Sequence, residues 1–214
     1  CTPDVTQYLD LLKEKSKGIL LKTSPLLDIA SGLKELKSVG EIHIVAVNNE
    51  VKEVLWIIRN TNHAEPLIKT INLKDSGDEV FIFKRSDENS IQSVLSIPLK
   101  YLYEPNAAIL KAGAFKAIGK QFHLKKLHEH THLYTSHKKV NFPGRIFKIL
   151  STHPYNKKSL AALQFEKANI TIRNFPVSVA EIRKKHKIKE GGNLYLFFIT
   201  DLNNKRQILK CIKA

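Results

Sequence analysis

Apolar residues along the chain recur at two spacings, and the switches between them mark the predicted elements. Val5, Tyr8, Leu9 and Leu12 fall at i, i+3, i+4 and i+7, the face of an amphipathic helix, with Thr2 as cap and Pro3 at its first position. Gly18 ends that helix, and residues 18–23 (GILLKT) form a short apolar run that reads as a buried strand. Ser24-Pro25 opens a second helix with Leu26, Ile29, Ala30, Leu33 and Leu36 on one side. Gly40 stops it, and residues 41–47 (EIHIVAV) form a strand. Helix, strand, helix, strand at this spacing predicts an α/β layer with parallel strands. Residues 51–59 (VKEVLWIIR) fit either element and are assigned to a short helix. Residues 67–73 and 79–84 predict two strands joined by a Lys74–Asp78 turn, an antiparallel hairpin. The polar stretch 86–93 has no periodicity, which places a domain boundary near residues 88–100.

A second region begins at Ile97. A short strand at 100–104 ends before Pro105. Asn106 can cap a long helix whose apolar face is Ala107, Leu110, Ala114, Phe115, Ile118 and Phe122. Residues 132–136 predict a strand, and Asn141-Phe-Pro-Gly144 breaks the pattern. From Arg145 onward the prediction is a strand, a helix at 157–167, a strand at 169–175, a helix at 179–188, and two strands at 194–200 and 206–212. Ser178 and Glu181 form a capping box at the start of the second helix. Gly191-Gly192 turns the chain out of it, and residues 202–205 join the last strands as a hairpin. The sum is β-α-β-α-β-β, a compact α/β sandwich of ordinary element lengths.

Composition narrows the class. At 43% apolar and 26% charged, the 214 residues suit a folded chain rather than a disordered one. No apolar run reaches the roughly 18–20 residues of a membrane span. The two cysteines, Cys1 and Cys211, stand at opposite ends without CxxC spacing, against a disulfide scaffold or thiolate zinc site and in keeping with a reducing, cytoplasmic setting. The chain has no Met and begins Cys-Thr-Pro-Asp, so it is expected to be a piece of a longer or processed protein. The net charge of +15 is uneven: residues 1–100 carry 13 Lys and Arg against 14 Asp and Glu, whereas residues 101–214 carry 22 against 6. A polyanion-binding C-terminal part on a neutral N-terminal part is the expectation.

The candidate chemistry follows that asymmetry. In the helix Arg183–Lys189, Val179, Ile182 and Ile188 can face a core and leave Arg183, Lys184, Lys185 and Lys187 outside. Arg173 and Asn174 end the preceding strand, and Lys157 and Lys158 can join the same patch. Cations crowded on one side of a small sandwich suit phosphate backbones, whose neutralisation releases counterions. The competing reading is a solvated helix face. His128, His130 and His132 alternate and would share one face of a strand, but no carboxylate or Cys supports them, so no metal site is assigned. No nucleophile elbow, P-loop, zinc-helix or dinucleotide-binding motif occurs. Gly18, Gly32, Gly40 and Gly77 stand singly. Lys22, Ser24 and Asp28 lie where a strand gives way to a helix, the carboxyl-end position at which open α/β sheets place ligands, and are substrate-pocket candidates. The competing reading there is a plain strand–helix turn.

Several segments in order carry a resemblance: Leu21–Ile29 (LKTSPLLDI), Val45–Glu53 (VAVNNEVKE), Tyr103–Ala108 (YEPNAA) with Lys111 and Gly113, His132–Ser136 (HLYTS), Ile172–Pro176 (IRNFP) and Gly191-Gly192. Together they resemble a family of bacterial class I S-adenosylmethionine-dependent methyltransferases with a ferredoxin-like domain and a C-terminal THUMP-like domain. The resemblance implies the C-terminal half of a Rossmann-like methyltransferase sheet over 1–90, with GILLKT as its fifth strand. It implies a ferredoxin-like α+β unit over 97–140 and a THUMP-like α/β sandwich over 144–214. It also implies S-adenosylmethionine as the parent protein's cofactor, none for this chain, and RNA (tRNA or rRNA) as partner. The family's cofactor-binding glycines and acidic loop would precede Cys1, so the chain alone is expected to be inactive. Two functions follow: the RNA-docking portion of a methyltransferase, or a non-enzymatic module binding nucleic acid or an acidic protein. A membrane contact ranks last, since the basic helix lacks large aromatic side chains.

Overall fold

The computed structural model describes residues 4–59, 65–163 and 165–214, so the predicted cap Thr2 and Pro3 lie outside the described residues. The chain forms two compact units, residues 1–91 with 106–118 and residues 92–105 with 119–214.

In the first unit Asp4 caps a 3-10 turn, Val5–Tyr8, that runs into α1 (Leu9–Lys15). The elements that follow are β1 (Gly18–Thr23), α2 (Ile29–Glu35), β2 (Val39–Val47), β3 (Glu50–Arg59), β4 (Leu67–Leu73), β5 (Glu79–Phe83), α3 (Arg85–Ser90) and α4 (Ala107–Ala112). The sheet order is β1-β3-β2-β4-β5. β2 and β4 are parallel, and every other neighbouring pair is antiparallel. The sheet is therefore mixed, not the parallel layer read from the pattern.

The difference originates at residues 51–59, which form a central strand rather than a helix. Asn48 and Asn49 have φ of 48° and 68°, the positive values a two-residue hairpin turn requires, and they fold β3 back onto β2. Val54, Trp56 and Ile58 then alternate into the core beside Ile42, Ile44 and Ile68. The second helix also begins later than Ser24-Pro25. Leu26 and Leu27 fold into a turn on Ser24, Leu26 is 90% exposed, and Asp28 supplies the cap.

The long helix predicted after Asn106 is two short ones. Asn106 does cap α4, but Gly113 (φ 75°) ends it in a left-handed turn. The Glu88 carboxylate accepts from Lys116 N and Ala117 N at 2.8 Å each, starting α5 (Ala117–Gln121) afresh. A buried polar network holds α4 in place. Asn106 Nδ2 and Asn72 Nδ2 both donate to Glu79 Oε2, at 3.0 and 2.9 Å, and Asn49 Oδ1 accepts from Ala107 N at 2.8 Å.

The second unit carries β6 (Tyr101–Pro105), β7 (Lys125–Lys126), β8 (Tyr134–Ser136), β9 (Gly144–Pro154), α6 (Lys157–Ala162), β10 (Asn169–Arg173), α7 (Val179–His186), β11 (Leu194–Thr200) and β12 (Arg206–Lys213). They make one seven-stranded sheet in the order β10-β11-β12-β9-β6-β8-β7, with only β10 and β11 parallel. Both predicted helices after residue 156 are shorter than the pattern suggested. Lys187 (φ 53°) ends α7 one residue past His186. Leu196, Phe198 and Ile208 pack on one face with Leu160, Leu163 and Ile182 of the α6 and α7 region. Phe147, Phe197, Ile199 and Leu209 point to the other face, beneath Leu127 and Leu133. The histidine alternation does not lie on a strand. His132 has φ 51°, residues 127–133 form a loop, and β8 begins only at Tyr134.

Gly32 fixes how closely α2 approaches the first sheet. A Cβ built there would lie 2.4 Å from the Trp56 ring, and that ring is fully buried with its Nε1 donating to Thr23 Oγ1 at 2.9 Å. Gly32→Ala is expected to destabilise by about 1–3 kcal/mol through overpacking, read as a lower urea midpoint. An unchanged midpoint would show that the helix can shift outward freely.

Candidate functional site

The first unit holds the substrate-pocket candidates, each with a local partner. Lys22 Nζ lies 3.6 Å from Glu53, exposed, on the neighbouring strand. Ser24 Oγ accepts from Leu26 N at 3.2 Å and closes the turn. Asp28 Oδ1 accepts from Ser31 N at 2.8 Å, and that hydrogen bond holds its carboxyl below the usual carboxylate range. Of the three, only Asp28 borders the nearby cleft of about 260 Å³, where it meets Phe83, Arg85, Glu88, Asn89 and Gly113. Phe83, Arg85, Glu88 and Asn89 were not singled out from sequence, and Gly113 only as part of the family resemblance.

The basic residues of the second unit separate into two groups. Lys157, Lys158, Lys184, Lys185 and Lys187 are exposed. Arg183 is not on the outer surface as the helical pattern implied. Its side chain is 20% exposed, and its two terminal nitrogens donate at 3.2 Å to Ile188 O and Ala168 O. It closes the end of α7 against the loop before β10.

Arg173 points away from that helix. Ile170 and Ile172 pack with the α6 and α7 side, so strand alternation sends Thr171 and Arg173 to the opposite face. There Arg173 Nη2 meets Glu104 Oε1 at 2.5 Å, and Arg145 Nε meets Glu104 Oε2 at 2.6 Å. Glu104 is 3% exposed, whereas Arg145 and Arg173 remain 44% and 33% exposed. β10 and β6 have three strands between them, a separation of roughly 19 Å in a flat sheet with strands about 4.8 Å apart. An ion pair between them means that the sheet curls, with this face on the inside.

Asn174 (φ 50°) leaves the strand. Its side-chain nitrogen lies 3.1 Å from His128 Nδ1, and His128 Nε2 lies 3.2 Å from Asn204 Oδ1. His132 is half-buried in the same loop. Burial first, then the charges of Lys126, His130 and Arg173, hold its pKa down at about 4. Among the described residues no three His, Cys, Asp or Glu side chains converge to hold a metal ion.

Sequence reasoning missed Glu104 and Arg145. The available signal was an acidic residue inside a short apolar strand, Tyr101–Pro105, within a region with few acidic residues. A carboxylate so placed requires cationic partners.

Residues 101–143 match the model of a ferredoxin-like domain, and residues 144–213 match that of a domain described as THUMP domain-like. The chain therefore carries both domains. Over its whole length it is similar to a crystal structure of a candidate methyltransferase from Porphyromonas gingivalis W83, with 36% sequence identity and a TM-score of 0.94. The chain spans 55% of that protein's length. No curated protein sequence matches it.

His132 gives this region a pH dependence. The unfolded chain accepts a proton near the ordinary value of 6.5, and the folded state resists it down to about 4. The contribution is full above pH 6.5 and is lost as pH falls toward 4. His132→Asn, which tolerates the left-handed backbone, is expected to flatten the fall in thermal midpoint between pH 7.5 and 5. An identical slope in both proteins would contradict this.

Proposed function

We propose that the chain is the C-terminal portion of an S-adenosylmethionine-dependent methyltransferase acting on RNA in the cytoplasm, with the second unit docking a tRNA or rRNA. The observation that carries the reading is the whole-length similarity to the Porphyromonas gingivalis candidate methyltransferase. The THUMP-like match over 144–213 and the excess of Lys and Arg after residue 100 supply the RNA half of the reading. No helix among the described residues is long and apolar enough to cross a membrane.

Neither Gly32 nor the cleft beside Asp28 fits S-adenosylmethionine. Gly32 is occupied by the Trp56 ring, so its lack of a side chain serves packing rather than ligand approach. The cleft beside Asp28, about 260 Å³, is smaller than the roughly 300–1,000 Å³ of ordinary small-molecule sites. In this reading the cofactor belongs to residues outside this chain. β1 is compatible with that arrangement, since among the described residues it pairs only with β3 and leaves an edge able to take another strand.

The test uses the longer protein with radiolabelled S-adenosylmethionine and total RNA fractions. Label is expected in RNA. Lys184→Glu with Lys185→Glu is expected to weaken RNA binding about tenfold and to reduce the slope of log affinity against log salt by about 2. RNA binding without cofactor binding by calorimetry would instead favour a non-enzymatic module. Unchanged affinity and slope would remove these lysines from the interface.

A further inference from the structure

The first sheet ends on β5, and that edge lacks the features that keep edge strands apart. Among the described residues β5 pairs only with β4, in unbroken register. Exposed edges are ordinarily blunted by outward charges, by proline or by bulges. Residues 79–83 (EVFIF) contain no Lys, Pro or Gly. The single charge in the strand, Glu79, is already engaged: it pairs with Lys74 and accepts from Asn72 and Asn106. Strand alternation sends Phe81 and Phe83 into the core and leaves Val80 and Ile82 on the opposite face, 46% and 44% exposed. There Val80 sits beside Ile71, and Leu73 beside Val47, so apolar surface runs from the edge across β4 to β2.

The residues along this edge are self-complementary. With a second copy turned antiparallel about Phe81, Val80 falls opposite Ile82 and Asp78 opposite Lys84. Asp78 and Lys84 are both exposed, one at each end of the strand. Each pair then occurs twice, as a two-fold contact requires. The opposite edge, β1, has no such match. Centred on Leu20 or Leu21, self-pairing sets Lys22 against Gly18 or Leu20, with no carboxylate to receive it.

We propose that the chain pairs with a second copy of itself through β5, joining two five-stranded sheets into one continuous sheet. Backbone hydrogen bonds across the two-fold axis supply affinity. The Val80 and Ile82 pairs cover exposed apolar surface, and the two Asp78–Lys84 pairs set the antiparallel register. Because the contact is the same patch on both copies, it closes on itself and leaves no β5 edge free to add further strands. The pairing is independent of the RNA reading above.

The test is analytical ultracentrifugation of the whole chain across about a hundredfold range of concentration, as a contact this small requires. The apparent mass is expected to rise from one chain to two. Ile82→Lys, at an exposed position, is expected to weaken dimerisation about tenfold or more with an unaltered thermal midpoint. Asp78→Lys or Lys84→Glu alone is expected to weaken it about fivefold, since each change acts at two symmetric pairs. The two together are expected to restore it to within about twofold of the parent. Leu20→Lys, on the opposite edge, is expected to leave the dimer unchanged. A mass of one chain at every concentration, or a dimer untouched by Ile82→Lys, would overturn the proposal. Dissociation by Leu20→Lys alone would place the contact at β1 and overturn it. So would a combined charge variant that dimerises no more tightly than either single one.

Discussion

Glu104 is a carboxylate buried inside a sheet, and its two guanidinium partners come from elements far apart in sequence. Arg145 is on the adjacent strand, but Arg173 arrives from β10, four strands away in the sheet order. A buried carboxylate left without a partner costs about 3–5 kcal/mol, which is enough to hold the sheet rolled toward it. The curl sets much else in the second unit. It makes one face concave, aims two arginines along that face, and brings Arg173 close enough to lower the pKa of His132.

The two units use polar residues differently. In the first, buried polar groups are spent on assembly: Asn72, Asn106 and Glu79 lock α4 to the sheet, and Trp56 fills the space that Gly32 leaves. Its surface charges balance. In the second, α6 and α7 cover one face of the sheet and put lysines outside, while the other face carries the Glu104 ion pairs and packs Phe147, Phe197 and Leu209 beneath Leu127 and Leu133.

The second half of the chain was the more legible part. The order β-α-β-α-β-β from residue 144, the capping box at Ser178 and the turn at residues 202–205 all follow from local patterns, because each amphipathic element faces one core. The elements misread from sequence were decided by partners elsewhere. Residues 51–59 have helix-compatible spacing, yet two consecutive positive φ values at Asn48 and Asn49 make them the return strand of a hairpin. The helix after Asn106 divides because Glu88, nearly thirty residues upstream, supplies a new cap. The same holds for the site. Exposed Lys184 and Lys185 were visible in a charge run, whereas the role of Arg173 depends on Glu104, which no local pattern connects to it.

The proposed role stands on the basic helical side of the second unit being the surface that meets RNA. Hydrogen–deuterium exchange of the whole chain, with and without saturating RNA, reports this at the level of segments. Slowed exchange is expected at 157–162 and 179–189, where Lys157, Lys158, Lys184, Lys185 and Lys187 are exposed. Unchanged exchange across both segments at saturating RNA would contradict it.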